Sequence, residues 1–272
     1  MTPNQATAAC HTPPAQATGR PADWTFDVSW ADCEADVAAA QKLRYQIFAG
    51  ELGARLPLAA SKHGRDADRF DPFCDHLLVW ARDRTEMQPP QLVGTYRVLA
   101  PEGARRCGGW CADDQFDMAR LASLRPATIE LGRACVRADW RSGGVIMSLW
   151  SAPGRYMVRR DLDAMVGCAS VGMGDGGDFA ASLWRTLRQT HLAGPAWQVE
   201  PRNPLQLRQR PGAALDNVTM RDMPPLIKGY LRGGAKVLGA PSYDPSFNTA
   251  DLPIMMRMAD LSPRYRAQFL AK

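Results

Sequence analysis

The sequence predicts a mixed α/β fold in which a largely antiparallel, twisted sheet is flanked by helices. Strand-length apolar runs follow one another along the chain, and one long helix separates two of them in the middle. That order implies antiparallel pairing at first and one β-α-β crossover. The predicted strands are 26–30, 76–81, 92–99, 128–136, 164–171, 236–240 and 253–259. The predicted helices are 33–52, 143–160, 178–192 and 224–232, with a short one at the C-terminus.

The first two elements are indicated by the period of their apolar residues. Phe26, Val28 and Trp30 alternate with polar residues, which is typical of a half-buried strand. The helix that follows is amphipathic, because its apolar residues recur at helical spacing. Those residues are Val37, Ala40, Leu43, Ile47 and Phe48.

The central elements are short apolar runs and a helix that begins at two glycines. The strands at 92–99 and 128–136 are joined by a long connection. Gly143 and Gly144 open the helix that leads to the buried strand at 164–171. This strand, helix and strand form the predicted crossover.

The domain organisation follows from composition and connection length. Residues 1–22 are rich in Ala, Thr, Pro and Gln and have almost no large apolar side chains, so they are predicted to be a disordered tail. Residues 23–272 are predicted to form a single domain. The stretch 172–222 is long for a loop, and we expect it to pack as an inserted lobe.

Composition narrows the class of protein. The chain has 272 residues, 46% of them apolar and 22% charged, which suits a full buried core and excludes a disordered chain or a coiled-coil rod. No apolar run approaches the roughly 20 residues of a membrane-spanning helix. Seven cysteines at scattered spacings, with no apolar secretory segment at the start, predict a reduced, cytoplasmic location. A net charge of +5 favours an acidic partner or an anionic membrane surface, and no nucleic-acid partner is expected.

The strand at 128–136, the turn after it and the helix from Gly143 resemble the acyl-donor site of the GNAT acyltransferase fold. The turn, VRADWRSGG (136–144), departs from the Gln/Arg-x-x-Gly-x-Gly/Ala loop that holds the diphosphate of coenzyme A in that fold. This departure favours a donor without the nucleotide end, such as an acyl-acyl carrier protein.

Several segments resemble one family of that fold, the L-ornithine Nα-acyltransferases. The C-terminal segment is the most specific, because other GNAT acyltransferases lack its pattern of Asp244, Phe247, Asn248 and Asp251. The matching segments are LRYQIFAGELGARL (43–56), DRFDPFCDHLLV (68–79), LVGTYRVL (92–99), IELGRACVRADWR (129–141), MVGCASVG (165–172) and IKGYLRGGAKVLGAPSYDPSFNTADLPIMM (227–256).

The resemblance implies an enzyme that makes lyso-ornithine lipid from 3-hydroxyacyl-acyl carrier protein and L-ornithine. It implies no metal and no bound cofactor, with acyl-acyl carrier protein as co-substrate and peripheral contact with the anionic inner membrane. The related acyl-homoserine lactone synthases share a thinner pattern with this sequence. The residues at the matching positions are Arg44, Phe48, Arg97, Glu130 and Arg133.

Glu130 and Arg133 are the candidate catalytic residues. N-acylation needs an unprotonated amine, and an α-amine loses its proton more easily than a Lys-like δ-amine. A carboxylate such as Glu130 suffices as the base, directly or through one water. Arg133 falls on the other face of the strand unless the strand bulges there. The alternative for Glu130 is a strand glutamate that pairs with an arginine and only holds the sheet.

Arg44, Phe48, Asp71 and Arg97 are the candidate substrate-binding residues. An arginine is a natural bidentate partner of the acceptor carboxylate, and Arg44 or Arg97 fits that role. Asp71 is the candidate partner of the δ-ammonium group, chosen from Asp68, Asp71, Asp75 and Glu51, and Phe48 is a candidate wall of the acyl-chain channel. The alternatives are a solvated or structural ion pair for each arginine, a loop aspartate in a turn or cap for Asp71, and plain core packing for Phe48.

The candidate donor-binding residues surround the glycine-containing turn. Acyl carrier proteins are strongly acidic, so Arg137 and Arg141 are candidates for their landing surface, with Arg155, Arg159 and Arg160 on the following helix. The alternative is an ordinary solvated helix face. The set of donor-binding residues is Val136, Arg137, Arg141, Gly143 and Gly144.

Two other functions remain open at this point. One is acyl-acyl carrier protein-dependent acylation of a different amine, including synthesis of the acyl-homoserine lactone type. The other is a non-catalytic module that docks acyl carrier protein or a membrane.

Overall fold

The helices and strands are defined over residues 24–141, 143–206 and 218–270 of a computed structural model. The strands are β1 (Trp24–Trp30), β2 (Asp75–Asp83), β3 (Gln91–Leu99), β4 (Phe116–Asp117), β5 (Thr128–Val136), β6 (Ala164–Gly172), β7 (Glu200–Pro201), β8 (Lys236–Val237), β9 (Ser242–Asp244) and β10 (Thr249–Arg257). The helices are α1 (Glu34–Tyr45), α2 (Leu58–His63), α3 (Pro101–Cys107), α4 (Gly143–Arg160), α5 (Asp178–Thr190), α6 (Pro225–Gly233) and α7 (Pro263–Leu270). The predicted tail at 1–22 lies outside the described residues.

The main sheet has the order β1-β2-β3-β5-β6-β10-β8, and β9 pairs with the first residues of β10. Within the described part of the chain β5 and β6 run parallel, while the other neighbours in this sheet are antiparallel. The helix α4 joins β5 to β6 and supplies the crossover that a parallel pair requires. The predicted mixed, largely antiparallel sheet with one crossover is therefore confirmed.

Most observed element bounds lie within two residues of the sequence prediction, and the predicted strand 236–240 is reduced to Lys236–Val237. Two further departures have a local physical cause. The first helix is α-helical only to Tyr45 and continues as a π-helical turn, Gln46–Glu51, in which Phe48 is buried. The last long strand begins at Thr249 rather than at Pro253. The Pro253 carbonyl accepts from the Leu238 N–H, so the missing N–H of the proline points to the same side, between the β9 and β8 pairings, where the sheet ladder is interrupted.

The helices cover both faces of the sheet. A Cβ at Gly94 of β3 would meet the Val145 side chain of α4 at 3.1 Å, so this face of β3 lies directly under α4. The helix α1 packs on β2, β3 and β5. The helix α5 lies inside the predicted insertion at 172–222, and its Leu183 and Leu187 are fully buried in the main core. None of the described helices has the length and apolar character needed to cross a bilayer.

The sheet opens at the end of β5. The pairing of β5 with β6 ends at Leu131 and Gly167, and the strands separate beyond that pair. On its other side β5 has a bulge, because one residue of β3, Tyr96, lies opposite both Arg133 and Ala134. Arg133 takes the left-handed conformation with φ 56°. The bulge that the sequence left open is therefore present, and it turns the Arg133 side chain out of simple alternation.

The close contact between β5 and β6 requires glycine at position 167. A Cβ there would lie 2.5 Å from the Leu131 carbonyl oxygen. We expect Gly167→Ala to lower the free energy of unfolding by about 1–3 kcal/mol, because the two backbones must move apart. Urea denaturation measures this change. Gly172→Ala on the same strand is the control, since nothing lies within 4 Å of its added methyl group, and equal effects of the two substitutions would contradict the prediction.

Candidate active site

A cavity of about 620 Å³ opens beside the end of β3, in front of the bulge of β5. Its wall carries charges of both signs together with amide, hydroxyl and thiol groups. The lining includes Asp68, Arg69, Arg97, Cys111, Asp114, Gln115, Arg133, Asn203, Ser242, Tyr243 and Asp244. A space of this size and polarity fits a small zwitterionic molecule.

Arg44 is buried behind the charged wall and binds two of its aspartates. Its guanidinium is 1% exposed and donates to Asp66 Oδ2 at 2.9 Å and to Asp71 Oδ1 at 2.7 Å. It also donates to the Asp66 carbonyl and lies 3.3 Å from Nδ1 of His76. Because a guanidinium group can only donate, Nδ1 of His76 accepts from Arg44, while its Nε2 lies 3.2 Å from the Asp71 carbonyl. Burial lowers the pKa of His76. Arg44 is thus occupied by partners from its own chain, and its predicted contact with the acceptor stays a prediction.

Arg97 continues the charged wall towards the cavity. It donates to Asp68 Oδ1 at 2.7 Å, to Asp71 Oδ2 at 3.3 Å and to the Cys111 sulfur at 3.3 Å. Burial opposes ionisation of Asp68, but Arg97 and Arg133 outweigh it and hold the pKa of Asp68 at about 2. Asp71 lies between Arg44 and Arg97, so the residue predicted to bind a substrate ammonium already has two cationic neighbours.

Glu130 lies behind the turn that carries Cys111. One carboxylate oxygen accepts the backbone N–H of Cys111 at 2.5 Å, and the other accepts that of Ala112 at 2.7 Å. Burial raises the pKa of Glu130 to about 7, although these two N–H groups and Arg97 favour the charged form. The group therefore changes charge near neutral pH, which is the range that a general base requires.

The bulge presents Arg133 to the cavity against an aromatic pair. The guanidinium carbon of Arg133 lies 4.7 Å from the centre of the Phe247 ring, which itself meets Phe48 edge to face at 5.5 Å. Arg133 Nη2 also lies 3.4 Å from Asp68 Oδ2. Phe48 therefore supports the site through Phe247, and its predicted role in the acyl channel stays a prediction.

Sequence reasoning assigned no role to a second acidic group in this wall. Gln115 Nε2 donates to Asp251 Oδ2 at 2.9 Å and lies 3.4 Å from Asp244 Oδ2. Burial raises the pKa of Asp251. Asp244 faces the cavity, and its Oδ1 accepts the Ser246 N–H at 2.7 Å. Among the described residues no cationic side chain pairs with Asp244. The family-specific C-terminal pattern was the signal that could have drawn attention to it.

The predicted donor-binding residues lie apart from this cavity. A second cavity, of about 450 Å³, lies between α1 and the turn after β5 and is lined by Lys42 and Arg137 among others. Arg137 pairs with Asp139 at 2.7 Å, and Arg141 pairs with Glu51 at 2.5 Å.

The remaining donor-turn residues have local contacts. The Val136 carbonyl accepts from Arg141 Nε at 3.0 Å. Gly143 begins α4, and Gly144 lies against the Phe26 ring, which a Cβ would meet at 2.7 Å. The predicted basic surface divides along the 18-residue α4, because Arg159 and Arg160 end the helix about 25 Å from the turn.

The structure therefore brings Arg97 and Arg133 to the wall of one cavity. Arg44, Asp71 and Glu130 are buried behind that wall, where Asp71 contacts Arg97 and Glu130 accepts the Cys111 N–H. Of the predicted donor-binding residues, Arg137 lines the second cavity. Two carboxyl groups that sequence reasoning did not assign, Asp66 and Asp244, complete the first cavity and its support.

The chain is similar to known acyltransferases. A family model described as Acetyltransferase (GNAT) domain matches residues 43–151. The chain is 36% identical over 253 residues to an L-ornithine N(alpha)-acyltransferase of Brucella abortus, which covers 91% of this chain and 90% of the relative. The enzyme of the same name from Agrobacterium fabrum is 35% identical over 246 residues, covering 89% and 84%. The chain belongs to the L-ornithine Nα-acyltransferase family. It is an acyltransferase with a GNAT domain.

The GNAT segment of this L-ornithine Nα-acyltransferase family member contains much of the charged wall. The matched residues 43–151 include Arg44, Arg97, Glu130 and Arg133. A solved N-acyl amino acid synthase from uncultured soil microbes aligns with 91% of this chain and 96% of its own, at 13% identity and a TM-score of 0.49.

The buried ion pairs make a second testable prediction. Arg44→Met leaves Asp66 and Asp71 buried without their main cationic partner, and we expect a loss of about 3–5 kcal/mol in the free energy of unfolding. Arg69→Met removes a pair with Asp114 whose arginine is 66% exposed, and it should cost only about 0–1 kcal/mol. Urea denaturation of both variants measures the difference. A cost for Arg44→Met as small as that for Arg69→Met would show that the buried network adds no stability.

Proposed function

We propose that the protein moves a 3-hydroxyacyl group from acyl carrier protein to the α-amine of L-ornithine, which gives lyso-ornithine lipid. The names of its four L-ornithine N(alpha)-acyltransferase relatives support the acceptor. The observation that carries the proposal is Glu130, a buried carboxyl group with a pKa of about 7 behind a cavity lined by arginines and aspartates. No metal or bound cofactor takes part in the proposed reaction.

The charges of the cavity suggest how ornithine lies in it. Arg133 has its guanidinium at the cavity wall, while Arg44 is buried behind it, so we assign the substrate carboxylate to Arg133 with Arg97 beside it. Asp244 faces the same space without a cationic partner among the described residues, so we assign it the δ-ammonium. This assignment replaces Asp71, which is already held between Arg44 and Arg97.

Glu130 acts on the α-amine in this arrangement. Directly or through one water, its carboxylate accepts a proton from the α-ammonium, and the neutral amine attacks the thioester carbonyl carbon. The tetrahedral intermediate collapses with cleavage of the carbon–sulfur bond. The attacking nitrogen gives its second proton to the departing thiolate, and Glu130 releases the first proton to solvent. An α-amine is easier to deprotonate than a δ-amine by about 3 kcal/mol, which favours acylation at the α position.

The donor enters from the side of the glycine-containing turn. Lys42 and Arg137 line the cavity there, and Arg141 lies on the same turn, so this surface suits the acidic face of an acyl carrier protein. The turn lacks the diphosphate-binding pattern of coenzyme A-dependent relatives in sequence. The product is a single-chain amphiphile, and the net positive charge favours peripheral contact of this cytoplasmic enzyme with an anionic inner membrane.

The reaction and its base can be tested together by product mass. Purified protein is incubated with 3-hydroxyacyl-acyl carrier protein and a mixture of ornithine, lysine, glycine and S-adenosylmethionine. We expect one new mass, that of the Nα-(3-hydroxyacyl)ornithine. In the wild type, kcat/KM should rise with pH through about 7, because Glu130 must lose its proton to act as the base. Glu130→Gln should lower kcat about 100-fold or more and remove that limb of the profile.

Other outcomes contradict specific parts of this proposal. An adduct with another amine removes the ornithine assignment, and release of methylthioadenosine indicates synthesis of the homoserine-lactone type. Carrier-protein binding without any adduct indicates a docking module. If Glu130→Gln keeps the wild-type pH profile, Glu130 is not the base, and its carboxylate only accepts the Cys111 and Ala112 N–H groups. The melting temperature of the variant measures that structural role independently.

The assignment of Asp244 makes a further prediction about the acceptor. Asp244→Asn keeps the Oδ1 that accepts the Ser246 N–H but removes the negative charge. We expect kcat/KM for ornithine to fall about 10- to 100-fold, since hydrogen bonds to charged groups contribute about 1.5–3 kcal/mol. L-norvaline has the same carbon chain without the δ-amine, and its much slower acylation should be unchanged.

Asp114→Asn is the matched control for Asp244→Asn. Asp114 also lines the cavity, but its carboxylate pairs with Arg69 at 2.6 Å. The ratio of ornithine to norvaline kcat/KM should stay at the wild-type value in this variant. An equal fall of the ratio in both variants would mean that the general negative charge of the cavity, and not Asp244, selects ornithine.

A further inference from the structure

Two tyrosine hydroxyls form a hydrogen bond in the main hydrophobic core. The Oη atoms of Tyr96 on β3 and Tyr230 on α6 lie 2.7 Å apart. Both side chains line a small void of about 20 Å³, whose other walls include Leu131, Gly167 and Met165. That volume holds about one water-sized group. The void lies at the place where β5 and β6 separate.

The tyrosine pair has one O–H group that is not used in the hydrogen bond between the two oxygens. Each phenol has one O–H, and one of the two hydrogens forms the bond between the oxygens. The described residues give the pair no other hydrogen bond, so the second hydrogen has no acceptor on the protein. Tyr96 is only 6% exposed, and the pair lies at the void. A buried O–H of this kind is matched by a water or by a polar group of a ligand.

The opening of the sheet relates this void to the acceptor cavity. Arg97 faces the acceptor cavity, and Tyr96, its neighbour on β3, points to the opposite face of the sheet. Leu131 pairs with Gly167 at the point where β5 and β6 part. An acyl chain that passes through this opening with its thioester at the acceptor cavity would meet Leu131 and Gly167, which also line the void. Polar groups far along the chain would lie beyond it.

We propose that the Tyr96–Tyr230 pair donates a hydrogen bond to the 3-hydroxyl of the acyl chain and thereby selects 3-hydroxyacyl donors. This inference rests on the proposed function, since it needs an acyl donor in the opening. The walls otherwise present apolar groups, including the flexible side chains of Met165 and Met256, which can move aside for the chain. A hydroxyl buried there without the tyrosines would lose its water and gain no partner.

Both phenols stay neutral donors at working pH. Burial raises the pKa of Tyr230 to about 12 and raises that of Tyr96 well above its usual range. The contribution of the pair to discrimination is that of a buried neutral hydrogen bond, about five- to tenfold in kcat/KM.

The test compares two donors of equal chain length, a 3-hydroxyacyl- and an unsubstituted acyl-acyl carrier protein, each with ornithine. The quantity is the ratio of their kcat/KM values in the wild type, Tyr96→Phe, Tyr230→Phe and the double variant. We expect the wild type to prefer the 3-hydroxyacyl donor and the double variant to lose about five- to tenfold of that preference. Replacing both partners by apolar rings of the same shape is nearly neutral for stability, so the double variant should fold.

Tyr156→Phe is the matched control. Its hydroxyl donates to Asp75 at 2.6 Å, away from the void, and the donor ratio should keep its wild-type value. Ornithine acylation with an unchanged ratio in the double variant would overturn the inference and leave the pair a core contact satisfied by water. A wild type that does not distinguish the donors would overturn it as well. Absence of ornithine acylation in the wild type with either donor would refute the proposed function itself.

Discussion

The carboxylate of Asp71 is the point on which the charged half of the site depends. It lies between the buried guanidinium groups of Arg44 and Arg97, and its second oxygen also accepts the Asp68 N–H at 2.8 Å. Two buried arginines need such compensation, because an unpaired charge in the interior is very costly. The carboxylate therefore joins α1, β3 and the loop before β2 into one wall. Without this carboxylate, the loop that places Asp68 at the cavity would lose the hydrogen bond between the Asp68 N–H and Asp71.

The bulge on β5 organises both sides of the sheet at once. A non-glycine residue in the left-handed region costs about 1–2 kcal/mol, so Arg133 keeps φ 56° only because its surroundings hold it there. Its guanidinium lies over Phe247 and near Asp68, which supplies that support. On β3, the residue opposite the bulge is Tyr96. One extra residue in β5 thus turns Arg133 to the cavity, and the residue opposite the bulge lines the apolar void on the other face of the sheet.

Much of the fold follows from periodicity, and the departures have local physical causes. The strand at 128–136 and the helix that begins at Gly143 match their predicted bounds, because a period of two or of 3.6 is set by neighbouring residues. The apolar pattern of 33–52 continues past Tyr45, so it did not reveal the change to a π-helical turn. The sequence prediction began the last strand at Pro253, because a proline is normally disfavoured inside a strand. In the structure Pro253 lies between the pairings of β10 with β9 and with β8, so its missing N–H costs no ladder hydrogen bond.

Periodicity and residue types were enough to predict the mixed sheet, the crossover, the family resemblance and the groups available for N-acylation. Which charges meet depends on the folded structure. Arg44 and Asp71 are 27 positions apart, and Gln115 reaches Asp251 across 136 positions. Electrostatic energy depends on distance and burial, and neither is encoded in the local spacing of charged residues. For that reason the arginines and aspartates around the cavity were predictable as a set, while their division into residues buried behind the wall and residues that line the cavity was a property of the fold.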